Sequence, residues 1–144
     1  MSFSTSAYKK AIDDRDVENA AKYQPSPNGT TYCNIFAQDV ASDYGTPLPS
    51  GTCSTMLKAL YGNNTPHWYS VTYSQAQSRA NQGYTTIGIT SDHIVIIYPH
   101  GNTPSSVSDL YMSMAGYKCF NDTKITYAWK QSDLSNVKFY SWYE

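Results

Sequence analysis

Between Cys33 and Tyr44 the apolar positions Cys33, Phe36, Ala37, Val40 and Tyr44 recur at i, i+3, i+4, i+7 and i+11, the spacing that lines one face of an α-helix. Gly45 and Pro47 supply the stop, because glycine enters the left-handed conformation that ends a helix and proline cannot continue one. Upstream, Ala7, Ala11, Ala20 and Ala21 among alternating charges favour a helix from Ala7 to about Tyr23. Pro25, Pro27 and Asn28-Gly29 close it with a loop. A third helix is predicted from Thr52 to Tyr61, carrying Met56, Leu57 and Leu60 and ending at Gly62-Asn63-Asn64. A fourth, short one runs from Ser74 to Asn81, with Gly83 as its stop.

Beyond Gly83 the period changes. Tyr84 to Thr90 and His93 to Tyr98 are rich in β-branched and aromatic residues, and a turn follows at Pro99 to Asn102. Asp109 to Ala115, Lys124 to Trp129 and Asn136 to Trp142 are further predicted strands. Helices first and strands after predict an α+β domain, with the N-terminal helices packed on an antiparallel sheet. Along the strand from His93, residues His93, Val95 and Ile97 share one face and Ile94, Ile96 and Tyr98 the other. His93 therefore belongs at the edge of the core.

A chain of 144 residues suits a single domain spanning 1–144. Its net charge of -1 leaves no basic stripe for nucleic acid. No run reaches the roughly 18 to 20 apolar residues of a membrane span, so no membrane insertion is expected. The segment Met1 to Ser6 lacks the basic and apolar regions of a secretory leader, so any export is expected to use another route. With 14 tyrosines and 3 tryptophans against 15% charged residues, the aromatics either face carbohydrate or peptide or pack the sheet edges.

Cys33 opens its predicted helix, where the dipole favours thiolate, although a cysteine on an inward stripe also reads as a small buried hydrophobe. The count of three cysteines is odd, and a Cys53-Cys119 pair would leave Cys33 free. No C-x-x-C or H-x-x-x-H spacing suggests a metal. Of three histidines, His93 suits a general base; His67 precedes Trp68-Tyr69 in a loop that could line a groove, and His100 lies in the Pro99–Asn102 turn. Asp13, Asp14 and Asp16 cluster on a charged helix and read as a solvated face. Serine-elbow, Walker and G-x-G-x-x-G motifs are absent.

Thr31-Tyr32-Cys33-Asn34-Ile35-Phe36-Ala37-Gln38-Asp39-Val40 resembles the nucleophile segment of type VI secretion amidase effectors and related phage-type lytic domains. The order of a helix-borne Cys33, then His93 at the start of a strand, then further sheet resembles the NlpC/P60 and CHAP group of papain-like peptidoglycan hydrolases. Gly45-Thr46-Pro47-Leu48-Pro49, Ala76 to Gly83, His93 to Ile97, Ser113 to Gly116 and Val137 to Tyr140 follow in the same order. The resemblance implies a papain-like fold, Cys33 as nucleophile, His93 as base and no metal or cofactor. It implies cleavage of an amide bond in peptidoglycan peptide stems, beside γ-D-glutamate. An effector further implies a cognate immunity protein and action in the target-cell periplasm or wall. A phage-type endolysin domain and a non-catalytic glycan-binding module are the alternatives. The pattern departs at two places: Asp92 stands where glycine commonly precedes the histidine, and Ser113 is the small polar side chain at the place of the orienting third residue.

Overall fold

The computed structural model describes residues 3–144; Met1 and Ser2, which begin the segment read for a leader, lie outside the described residues. Its helices are α1 (Thr5–Asp13), α2 (Cys33–Asp43), α3 (Cys53–Leu60) and α4 (Tyr73–Asn81). The strands are β1 (Trp68–Val71), β2 (Thr86–Ile89), β3 (Ile94–Ile97), β4 (Tyr111–Met114), β5 (Phe120–Lys124) and β6 (Lys138–Trp142). They form one antiparallel sheet in the order β1-β6-β2-β3-β4-β5. The class is α+β, as the change of period predicts.

The C-terminal strand sits inside the sheet, between β1 and β2, with Tyr140 opposite both Ser70 and Ile87. Strand β3 lies deeper still. Successive strand residues point to opposite faces, and all of Ile94, Val95, Ile96 and Ile97 are fully buried, so both faces of β3 are covered. Helix α2 packs on β3 and β4 with its predicted face inward; Phe36, Ala37 and Val40 are fully buried. The Tyr8 hydroxyl of α1 donates to the Ile97 carbonyl at 2.8 Å and accepts the Thr86 amide at 3.2 Å, joining the helix to two strands. Gly83 is held against the chain start: at φ +95° a Cβ there would lie 2.3 Å from the Ser4 carbonyl carbon, so only glycine fits.

Three local expectations are corrected. The first helix ends at Asp13, ten residues short of Tyr23, because Asp16 takes a left-handed φ of 48° and Arg15 turns to form two bonds with Asp43, at 2.6 and 2.7 Å. A single short 3-10 turn, Ala21–Tyr23, remains of its second half. The expected strand at Lys124–Trp129 is instead a 3-10 turn over Ile125–Tyr127, and the strand precedes it at Phe120–Lys124. Asn121 and Asp122 hide that strand, being poor strand formers; Asp122 has φ 53°, and the β4–β5 register shifts between Met112 and Met114. Finally, the loop assigned to His67-Trp68-Tyr69 contains edge strand β1, anchored by a buried Trp68 whose Nε1 donates to the Pro47 carbonyl at 2.9 Å.

Candidate active site

Four N–H groups at a helix start have no intrahelical acceptor and call for a cap. Ser4 caps α1, Thr52 caps α3 and Thr72 caps α4 through their side chains. Helix α2 differs: Tyr32 precedes it with no side-chain cap, and its first intrahelical bond is Phe36 N–H to Tyr32 carbonyl at 3.0 Å. Instead, the Tyr32 hydroxyl bonds the Ser26 hydroxyl. The amides of Cys33, Asn34 and Ile35 are thus left without protein acceptors among the described residues, at the positive end of an 11-residue helix. This is where a developing anion is stabilised.

The Cys33 thiol meets a second thiol there. Sγ of Cys33 and Sγ of Cys53 are 3.5 Å apart, and both residues are the first of their helices. The pair shares one proton unequally. The Cys53 S–H bond is the largest influence lowering the Cys33 pKa, well below the ordinary thiol range; burial opposes it, and His93 and the Ile94 amide add to the lowering. Cys53 is pushed up, first by its bond to Cys33, then by burial, the Cys33 charge and the Asp92 carboxylate. Hydrogen-bond donors therefore surround Cys33, while the Cys33 bond, burial and negative charge act on Cys53. The opposite shifts favour the charge on Cys33, with Cys53 as the donor.

His93 directly precedes β3, its amide donating to the Thr90 hydroxyl at 3.2 Å. That short turn delivers the imidazole to the start of α2. Its Nε2 lies 3.3 Å from the Met114 thioether, a weak acceptor, and its ring packs edge-on to Trp129 with centroids 5.2 Å apart. Gly116 makes room for it, since a Cβ there would stand 3.6 Å from His93 Cε1 and 2.9 Å from the Met114 methyl. No side-chain oxygen bonds the ring among the described residues. Ser113 is fully buried but faces other partners: it donates to Asn121 at 2.7 Å and accepts the Asp122 amide at 3.1 Å. His93 acts on the Cys33 thiol through a hydrogen bond and charge, whereas Ser113 is left out, joining β4 to β5.

The other sequence candidates lie elsewhere. His67 stacks on Trp142 at 4.5 Å and bonds the Tyr143 carbonyl through Nδ1 at 2.8 Å, fastening the sheet edge. His100 stacks on Tyr111 and pairs with Asp122 at 2.8 Å. Asp13 accepts the Tyr98 hydroxyl at 3.0 Å, Asp14 pairs with Lys10 and Asp16 accepts from Asn19. The proposed Cys53-Cys119 bridge is corrected: all three cysteines are free, Cys53 faces Cys33, and Cys119 donates to the Tyr23 carbonyl at 3.3 Å. A separation of 20 positions hides the Cys33–Cys53 contact from any local pattern.

A cleft of about 930 Å³ opens beside the imidazole, lined by Asp92, His93, Gly116, Tyr117, Tyr127 and Trp129 among others. Cys33 does not line it but keeps 7% of its surface exposed. Tyr117 and Tyr127 are largely exposed, giving the cleft aromatic walls suited to peptide backbone or sugar. Sequence reasoning missed Cys53, Met114 and Trp129 as neighbours of the dyad. No protein-family model and no curated protein matches the chain.

Proposed function

We propose that this chain is a thiol amidase that hydrolyses an amide bond in the peptide stems of bacterial peptidoglycan, as a D,L-endopeptidase beside γ-D-glutamate. The observation that carries the chemistry is the Cys33 side chain at the start of α2, which has no side-chain cap, with the Cys53 sulfur 3.5 Å away and with Cys53 and His93 lowering its pKa. The peptidoglycan substrate rests on the ordered sequence resemblance and on the aromatic cleft.

In this reading Cys33 Sγ attacks the scissile carbonyl, and the resulting oxyanion accepts hydrogen bonds from the free amides at the α2 start. Each such donor contributes about 3 kcal/mol. Protonated His93 gives its proton to the leaving amine, and water then hydrolyses the thioester. The donor that keeps the charge on Cys33 is Cys53, and packing against Met114 and Trp129 orients the ring in place of an oxygen ligand. An antibacterial effector acting in the target-cell periplasm or wall, held in check by an immunity protein, fits this activity; a phage-type endolysin fits it equally.

The test is a digest of purified sacculi with the wild type and Cys33→Ala, read by mass spectrometry of the released muropeptides. New amine and carboxyl ends from the wild type alone support the reading. Binding without release would leave the glycan-binding module, and undiminished release by Cys33→Ala would remove the thiol mechanism.

A further inference from the structure

The Cys33–Cys53 contact has chemistry beyond donation. The two sulfurs are 3.5 Å apart, both thiols are free, and Cys119 is engaged with the Tyr23 carbonyl. Each of the paired residues keeps 7% of its surface exposed, so the pair is not sealed from solvent. A low-pKa thiolate with a second thiol in van der Waals contact is the arrangement in which a sulfenic acid is captured before it over-oxidises.

We propose that Cys33 and Cys53 form a site of reversible oxidative modification, in which a hydroperoxide converts the facing thiols to a disulfide. Cys33 thiolate attacks one peroxide oxygen; the S–O bond forms, the O–O bond breaks, and the departing alkoxide or hydroxide takes a proton from solvent. The Cys33 sulfur loses two electrons and the peroxide gains them. Cys53 then attacks the Cys33 sulfur of the sulfenic acid. The S–S bond forms, the S–O bond breaks, and hydroxide leaves as water with the proton from Cys53. An external dithiol reverses the change, reducing the bridge to two thiols and becoming a disulfide itself.

The division of labour follows from the surroundings. The bond to Cys33 and burial push the Cys53 thiol up, and the Asp92 charge adds to them, so the peroxide meets one nucleophile and the second sulfur acts afterwards. On the proposed amidase reading, the bridge also removes the nucleophile and switches hydrolysis off until a reductant restores it.

The experiment treats the full-length protein with a small excess of hydrogen peroxide, blocks remaining thiols under denaturing conditions and maps the peptides by mass spectrometry. The expected result is one crosslinked Cys33–Cys53 pair, a fall from three free thiols to one, at Cys119, and recovery of three with dithiothreitol. In Cys53→Ser, Cys33 should instead gain two or three oxygens that dithiothreitol does not remove. Wild-type protein in which Cys33 over-oxidises while Cys53 stays free, or in which Cys53 joins Cys119, overturns the proposal. The mapping reads sulfur chemistry alone. A protein that forms the bridge but releases no muropeptides therefore refutes the amidase and keeps this site, whereas an active amidase without the bridge does the reverse.

Discussion

Helices α2 and α3 both begin with a cysteine, and the two sulfurs touch, yet their starts are built in opposite ways. Thr52 caps α3 through the Thr55 amide at 3.3 Å, and Cys53 beside it faces the Asp92 carboxylate. No side chain caps α2 among the described residues, and the Cys53 bond, His93 and the Ile94 amide lower the Cys33 pKa there. The α3 start is completed by a side chain, and the α2 start is not. Identical side chains at equivalent positions thus have their pKa values moved in opposite directions, and the surroundings across the fold decide which way.

The comparison breaks hardest at Cys33. Cys33→Ala should lower kcat on sacculi on the order of a million-fold, the cost of removing a nucleophile, while Cys53→Ala should leave measurable turnover. His93→Ala comes next, with a loss of about a thousand-fold for a general base; circular dichroism should show the fold intact, since His93 is only partly buried. Cys53→Ala removes a hydrogen bond to a charged sulfur, and such bonds contribute about 1.5 to 3 kcal/mol. Its kcat/KM should fall about 10- to 100-fold, and the pH at which Cys33 begins to react with iodoacetamide should rise.

The pair also has a pH signature. A folded pKa below the unfolded value contributes stability that is fully present above the unfolded thiol value, about 8.5, and is lost as pH falls. That is Cys33. A raised folded pKa contributes stability that is present below that value and lost as pH rises, which is Cys53. The stability difference between wild type and Cys33→Ala should therefore peak near about pH 8.5, measured by denaturant titration across the range. A difference that does not change with pH would mean that the thiols do not share a proton. The smallest effect belongs to the cap. Thr52→Ala should cost about 1 kcal/mol and about 3 °C of melting temperature, with the alkylation rate of Cys33 unchanged.

Much of the helical framework was legible because its signals are local. The Cys33 stripe, the Gly45 stop and the Thr52 and Gly83 boundaries all correspond to observed ends within a residue or two. The strands β2 and β3 were legible for the same reason, whereas their pairing was read only from the fold. Shorter signals misled. A four-residue strand such as β1 carries no period, and the acidic run after Ile12 continued a helical composition that the Arg15–Asp43 pair interrupts. Among the site residues, Cys33 and His93 carried local cues, a helix start and a strand edge. Ser113 was singled out by its place on the strand after His93, but its hydroxyl serves Asn121 and Asp122.

By itself the sequence determined the α+β class, the inward face of α2 and the placing of one thiol at a helix N-terminus, because periodicity, breakers and caps act within a few residues. Only the tertiary structure decided that Cys53 rather than Cys119 approaches Cys33, that Asp92 opposes one thiol while His93 supports the other, and that Met114 and Trp129 hold the imidazole. These are contacts between residues far apart in the chain. Their energies depend on distance and burial across packed elements, which no spacing along one segment encodes.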